Sequence, residues 1–97
     1  MQFSALGVCR YFLLDLRMSW NLSDNQLKKT FEFQSFEAAM DFMQRASSVI
    51  AALDHHPEWT NVYNRVHVSL CTHDAGHVVT PKDYALAEAL DAVFLDG

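Results

Sequence analysis

Cysteine, proline and glycine are all scarce: among 97 residues there are two cysteines, two prolines and three glycines. Two cysteines, Cys9 and Cys71, are too few for a disulfide framework. They are expected as free thiols in a reducing compartment. Basic residues are also few, 7 Lys and Arg against 12 Asp and Glu, for a net charge of −5. That balance argues against a nucleic-acid surface, which needs clustered Lys and Arg. There is no run of like charge and no low-complexity tract. No segment approaches the ~20 apolar residues of a membrane span. The apolar start "MQFSALGVCRYFLLDLRM" is a poor secretory signal, because Arg10 interrupts the apolar stretch and no small-residue cleavage site follows. The expectation is a soluble, cytoplasmic protein with no membrane partner.

What the chain does have is apolar mass. Half the residues are hydrophobic (51%) and 12% are aromatic. The length fits one domain spanning residues 1–97. A domain this small buries only about 60–65% of its unfolded surface, so its stability margin is thin and self-association is favoured.

Residues 4–18 fit a helix, with Leu6, Cys9, Leu13 and Leu16 near one face. Trp20 and Leu22 flank Asn21, the cluster Ser23-Asp24-Asn25 reads as a turn, and Leu27, Lys29, Phe31 and Phe33 then alternate with polar residues. This is a strand period flawed only by Lys29, and the two short runs predict a hairpin. A long helix follows. Ser35 suits its cap and Glu37 its first turn. Phe36, Met40, Met43, Ser47, Ile50 and Leu53 recur at helical spacing, and Ala39, Phe42, Ala46 and Val49 widen the apolar side. That side is broader than one sheet face needs, which fits either a well-buried core helix or a helix that covers a sheet and also meets a partner helix. Pro57 is expected to stop it. "WTNVYN" and "RVHVSLCTH" read as strands. In the second, Val66, Val68 and Leu70 point one way, and His67, Ser69, Cys71 and His73 the other. After the loop "DAGHVV", Thr80-Pro81-Lys82-Asp83 has the form of a helix start, with Tyr84, Ala87, Leu90 and Phe94 as the apolar face. The predicted class is α+β: helix-strand-strand-helix-strand-strand-helix, a four-stranded antiparallel sheet with the helices on one face.

All five histidines, His55, His56, His67, His73 and His77, fall within 23 residues of sequence. Imidazole is the side chain whose ordinary pKa, about 6.5, lets it give and take protons near neutral pH. A metal site could be drawn from Cys71, His73 and His67 with His55 or His56. No pair of these has the spacing of a known zinc motif, so no metal is expected. A Cys–His nucleophile pair is weaker still, because Cys71 sits inside a predicted strand with no helix amino end to activate it. A metal-free acid–base site is the best reading from chemistry alone, and it does not identify a substrate.

The stretch "DHHPEWTNVYNRVHVSLCTHDAG" goes further. Two histidines and a proline (His55, His56, Pro57) are followed by Tyr63 six residues after the proline, His73 ten further on, and Asp83 beyond the next loop. This pattern resembles the signature of the pterin-4a-carbinolamine dehydratases, a family also known as a dimerisation cofactor of a homeodomain transcription factor. The likeness extends upstream through "SFEAAMDFMQRA" and Trp20. Three departures stand out. Ala51 occupies the place, four before the first histidine, where the family usually has a polar or acidic group. The loop between His73 and Asp83 is one residue longer than usual, with His77 and Val78 in it. The amino-terminal helix is shorter and less polar. Asp83 also has a plainer role, as the acid of a capping box.

The resemblance implies dehydration of a 4a-hydroxytetrahydropterin to the quinonoid dihydropterin, as in tetrahydrobiopterin recycling, without metal or cofactor. It implies His55 and His73 as an acid–base pair, His56 as a third catalytic group that binds or orients the pterin, and Asp83 in support. It offers Asp54, Pro57, Trp59, Tyr63, Thr72 and Asp74 for substrate binding. The implied assembly is a homo-oligomer, a dimer of dimers built on the second helix, with Phe42, Met43 and Val49 as candidate contacts. The alternative is a protein-binding module that serves the dimerisation domain of a transcription factor, in which case the nucleus joins the cytoplasm as a location.

Overall fold

The structure, a computed structural model, describes residues 19–96. The helix expected over residues 4–18 lies outside that range. Four strands, β1 (Asn21–Ser23), β2 (Gln26–Glu32), β3 (Glu58–Val62) and β4 (Arg65–Leu70), form one antiparallel sheet in the order β1-β2-β4-β3. Helix α1 (Phe36–Leu53) joins β2 to β3, and α2 (Pro81–Asp96) follows β4 after a short 3₁₀ turn, His73–Ala75. The α+β class holds, and so does the order strand-strand-helix-strand-strand-helix over the described residues. No described helix is long and apolar enough to cross a membrane.

Local chemistry explains the joints. Asp24 and Asn25 both take positive φ, 55° and 60°, the backbone of a two-residue hairpin turn that matches strand twist. Ser35 caps α1, its hydroxyl accepting the Ala38 N–H at 3.1 Å. The helix stops before Pro57 acts: Asp54 turns left-handed (φ 52°, ψ 43°), and its N–H closes on the Ala51 carbonyl. The helix has therefore ended before residue 55, and the one-turn spacing from Ala51 to His55 is not helical.

One sheet face is buried. Leu27, Phe31, Val66, Val68 and Leu70 meet Ala39, Phe42, Ala46 and Ile50 of α1 and Leu86, Ala87 and Leu90 of α2. Phe31, Phe33, Phe42 and Phe94 pack as an aromatic cluster, with Phe31 and Phe42 centroids 4.9 Å apart. Two expectations about faces are reversed. Phe42, a candidate partner contact, is fully buried, while Phe36, Met40 and Leu53 of the expected core stripe are each 43% exposed. On α2, Tyr84 points outward and Leu86 inward.

Lys29, the flaw in the strand period, lies on the core face. Its ammonium meets the buried Asp91 carboxylate at 2.6 Å, and the Trp20 indole N–H donates to the other oxygen of Asp91 at 2.8 Å. Both Lys29 and Asp91 are thus satisfied at positions an apolar residue would otherwise take.

Candidate active site

Three element ends converge: the carboxyl end of α1, the carboxyl end of β4 and the amino end of α2. The register sets this, since Glu58 at the start of β3 pairs with Ser69 near the end of β4. His55 and His56, just before β3, therefore lie beside the segment that leaves β4. The left-handed turn at Asp54, a conformation that Asp tolerates better than most residues, carries the chain out of α1 and into this region.

At the base of the site is Asp83, whose side chain is completely buried. One carboxylate oxygen meets His55 Nε2 at 2.6 Å. The other accepts the Thr72 hydroxyl at 2.9 Å and the Thr80 backbone N–H at 2.8 Å. The Thr72 hydroxyl is thereby committed as a donor, so the Thr80 hydroxyl donates to it at 2.6 Å. The capping box is half formed: Asp83 holds the Thr80 N–H, but the Thr80 hydroxyl serves Thr72. A carboxylate surrounded by donors fixes the tautomer of neutral His55, with the hydrogen on Nε2 and the lone pair on Nδ1.

Above this base lies an open cavity of about 200 Å³, lined by Asp54, His55, His56, Thr72, His73, Asp74 and Lys82. Six of these seven were candidates in the sequence. Lys82 was not; its only signal was its place beside Asp83 in the helix start. Pro57, Trp59 and Tyr63, offered for substrate binding, do not line the cavity. Trp59 packs against the core from β3. Tyr63 is 68% exposed in the β3–β4 turn, at the opposite end of the hairpin from His56. Nor does His67 join the other histidines: β4 ends at Leu70, so strand alternation does not extend to Cys71 and His73, and His67 is hydrogen-bonded to Thr30 at 2.8 Å on the open sheet face.

A cavity with two adjacent imidazoles, a third across from them and a buried carboxylate behind one is suited to moving protons. Similarity to known proteins places the chain in a family. The family model described as pterin 4 alpha carbinolamine dehydratase matches residues 10–93. The chain belongs to that family. A relative from Opitutus terrae is 51% identical over 74 residues, covering 76% of each chain. One from Rhizorhabdus wittichii is 43% identical over 82 residues, covering 82% of this chain and 84% of its own. Both are named, provisionally, as pterin-4-alpha-carbinolamine dehydratases. Among solved structures, a transcriptional coactivator/pterin dehydratase from Brucella melitensis superposes with a TM-score of 0.76 at 33% identity, covering 96% of this chain and 98% of that one. A pterin dehydratase-like protein identified as a RuBisCO assembly factor of the alpha-carboxysome shares the fold, with a TM-score of 0.66 at 22% identity.

Proposed function

We propose that the protein dehydrates a 4a-hydroxytetrahydropterin. The observation that carries this reading is the 2.6 Å bond from His55 to the buried Asp83, set at a cavity that His56 and His73 share. In the reaction, the bond from carbon 4a to its hydroxyl breaks as an imidazolium protonates the oxygen, and water leaves. The proton on nitrogen 5 goes to a neutral imidazole, and the N5–C4a double bond forms. The step involves no change of oxidation state and no external reactant, only one proton given and one taken. His55 and His73 form the pair that does this. His56 holds the ring, and Asp54 and Asp74 offer polar contacts around it, while Thr72 keeps Asp83 in place from beneath.

Replacing His55 or His73 by Ala is expected to lower the dehydration rate by roughly 10²–10⁴-fold, the usual worth of a general acid or base, with the fold kept. Near-normal rates in both folded variants would overturn the assignment.

A second reading, a protein-binding role for α1, has its own support. Phe36 and Met40, each 43% exposed, line a groove with Met43. The Brucella melitensis protein of similar fold is described as a transcriptional coactivator as well as a pterin dehydratase. This face also suits association with further copies of the chain, as a dimer of dimers, with Phe36, Met40 and Met43 replacing the buried Phe42 as contacts.

A further inference from the structure

Beside the proton-transfer cavity lies a second group of side chains that the proposed dehydration does not use in full. The ligand atoms of Cys71, His73 and His77 all lie within 4.8 Å of one another. The His73 and His77 rings meet edge to face, with centroids 4.6 Å apart. The three residues span seven positions as Cys-x-His-x-x-x-His, and the loop's folding makes them neighbours.

That folding is well defined. Thr72 N–H donates to the Val78 carbonyl at 2.8 Å, and His77 N–H donates back to Thr72 at 3.0 Å. Within the loop, the N–H groups of Ala75 and Gly76 bond to Thr72 and His73. Gly76 (φ 91°) and His77 (φ 63°) are both left-handed, a conformation uncommon outside glycine that histidine takes more readily than most residues. It returns His77 to the side of the loop where Cys71 and His73 lie.

We infer that Cys71, His73 and His77 form a site for a thiophilic divalent cation of the zinc type, and that filling it withdraws His73 from proton transfer. A thiolate with two imidazoles selects zinc, cobalt or copper over magnesium or calcium, which want oxygen ligands. Tetrahedral zinc, with bonds of about 2.3 Å to sulfur and 2.0–2.1 Å to nitrogen, holds its ligand atoms about 3.3–3.6 Å apart. To reach that size the ligand atoms, now within 4.8 Å of one another, must draw closer, and the movement falls to the exposed His73 and His77 rather than to the half-buried Cys71. Three protein ligands leave a fourth position for water. A metal on His73 occupies its lone pair, so the cation acts as a reversible inhibitor. This inhibitory clause rests on the dehydratase reading; cation binding itself does not.

The test separates the two. Cobalt added to the full-length chain without substrate is expected to give a sulfur-to-cobalt charge-transfer band at a single equivalent, displaced by zinc. Cys71→Ser is expected to abolish the band, and His77→Ala to weaken zinc binding by at least ~10-fold, on the scale of outer-shell losses and more for a direct ligand. Folding of both variants is checked by circular dichroism. In chelator, both variants are expected to dehydrate the carbinolamine at the wild-type rate. With zinc added, the wild type is expected to slow and to recover on chelation, while both variants stay active. No cobalt band in the folded wild type, or one that survives Cys71→Ser, would overturn the site. Binding without effect on a measurable dehydration rate would overturn the inhibitory clause alone.

Discussion

Asp83→Asn isolates the carboxylate beneath His55. The change is isosteric, and the side chain is wholly buried, so the cavity keeps its shape. The oxygen that accepts from Thr72 and Thr80 can be replaced by the amide oxygen, and both of those bonds survive. The amide NH₂ then faces His55 Nε2, at the 2.6 Å contact. A donor now meets that nitrogen, so the ring must present a lone pair there and carry its hydrogen on Nδ1. The atom that should receive or deliver the substrate's proton is then in the wrong state. Loss of one acid–base group predicts a fall of roughly 10²–10⁴-fold in kcat, with little change in KM. Stability falls less. Charge-assisted bonds become neutral ones, a difference of about 1–2 kcal/mol, which lowers Tm by about 5–15 °C in a domain of this size. Asp83→Ala is a poorer experiment. It strands the Thr72 hydroxyl, the Thr80 N–H and the ring N–H, at about 1–3 kcal/mol each, against a total stability of roughly 5–15 kcal/mol. The assay is steady-state dehydration across pH, with circular dichroism as the folding control. A folded Asp83→Asn protein with the wild-type rate at every pH would refute the role given to this carboxylate.

Other expectations follow from the packing. Asp91→Ala leaves Lys29 and the Trp20 indole without their buried acceptor; it is expected to cost about 3–5 kcal/mol in urea titration, whereas Lys29→Met combined with Asp91→Leu recovers part of that loss. An equally large loss in the double variant would mean that packing, not the stranded charge, dominates. Ser35→Ala removes the cap on Ala38 N–H and is expected to cost about 1 kcal/mol, seen as a Tm lower by about 4–8 °C; an unchanged Tm would show that another group caps α1. Met40→Glu places a charge on the exposed face of α1 and is expected to reduce the oligomer mass in light scattering while the thermal transition of the subunit remains; a wild type that is already monomeric would remove that expectation.

Much of this was legible in the residues, and the exceptions have physical causes. The hairpin at Asp24-Asn25 and the cap at Ser35 are local chemistry, and sequence carries them directly. The faces of α1 were not separable, because apolar residues cover more than half its circumference; only docking on the sheet decides that Phe42 goes in and Met40 stays out. Lys29 looked like an error in a strand because its partner, Asp91, lies 62 positions away. The histidine pair and His73 were found through their chemistry and through the family pattern. Asp83 was visible mainly as a helix cap, and its bond to His55 depends on a tertiary contact across 28 positions. His77 escaped grouping with Cys71 and His73 because the left-handed Gly76-His77 step reverses the loop, which strand alternation cannot foresee.

The most direct measurement is the decay of freshly generated 4a-hydroxytetrahydropterin, followed by stopped-flow absorbance with and without the full-length protein at neutral pH. Catalysed loss of the carbinolamine, with quinonoid dihydropterin formed in equal amount and the rate proportional to protein concentration, is the expected result. Decay at the spontaneous rate in the presence of folded protein, with chelator present to clear any bound cation, would contradict the dehydratase reading at its root.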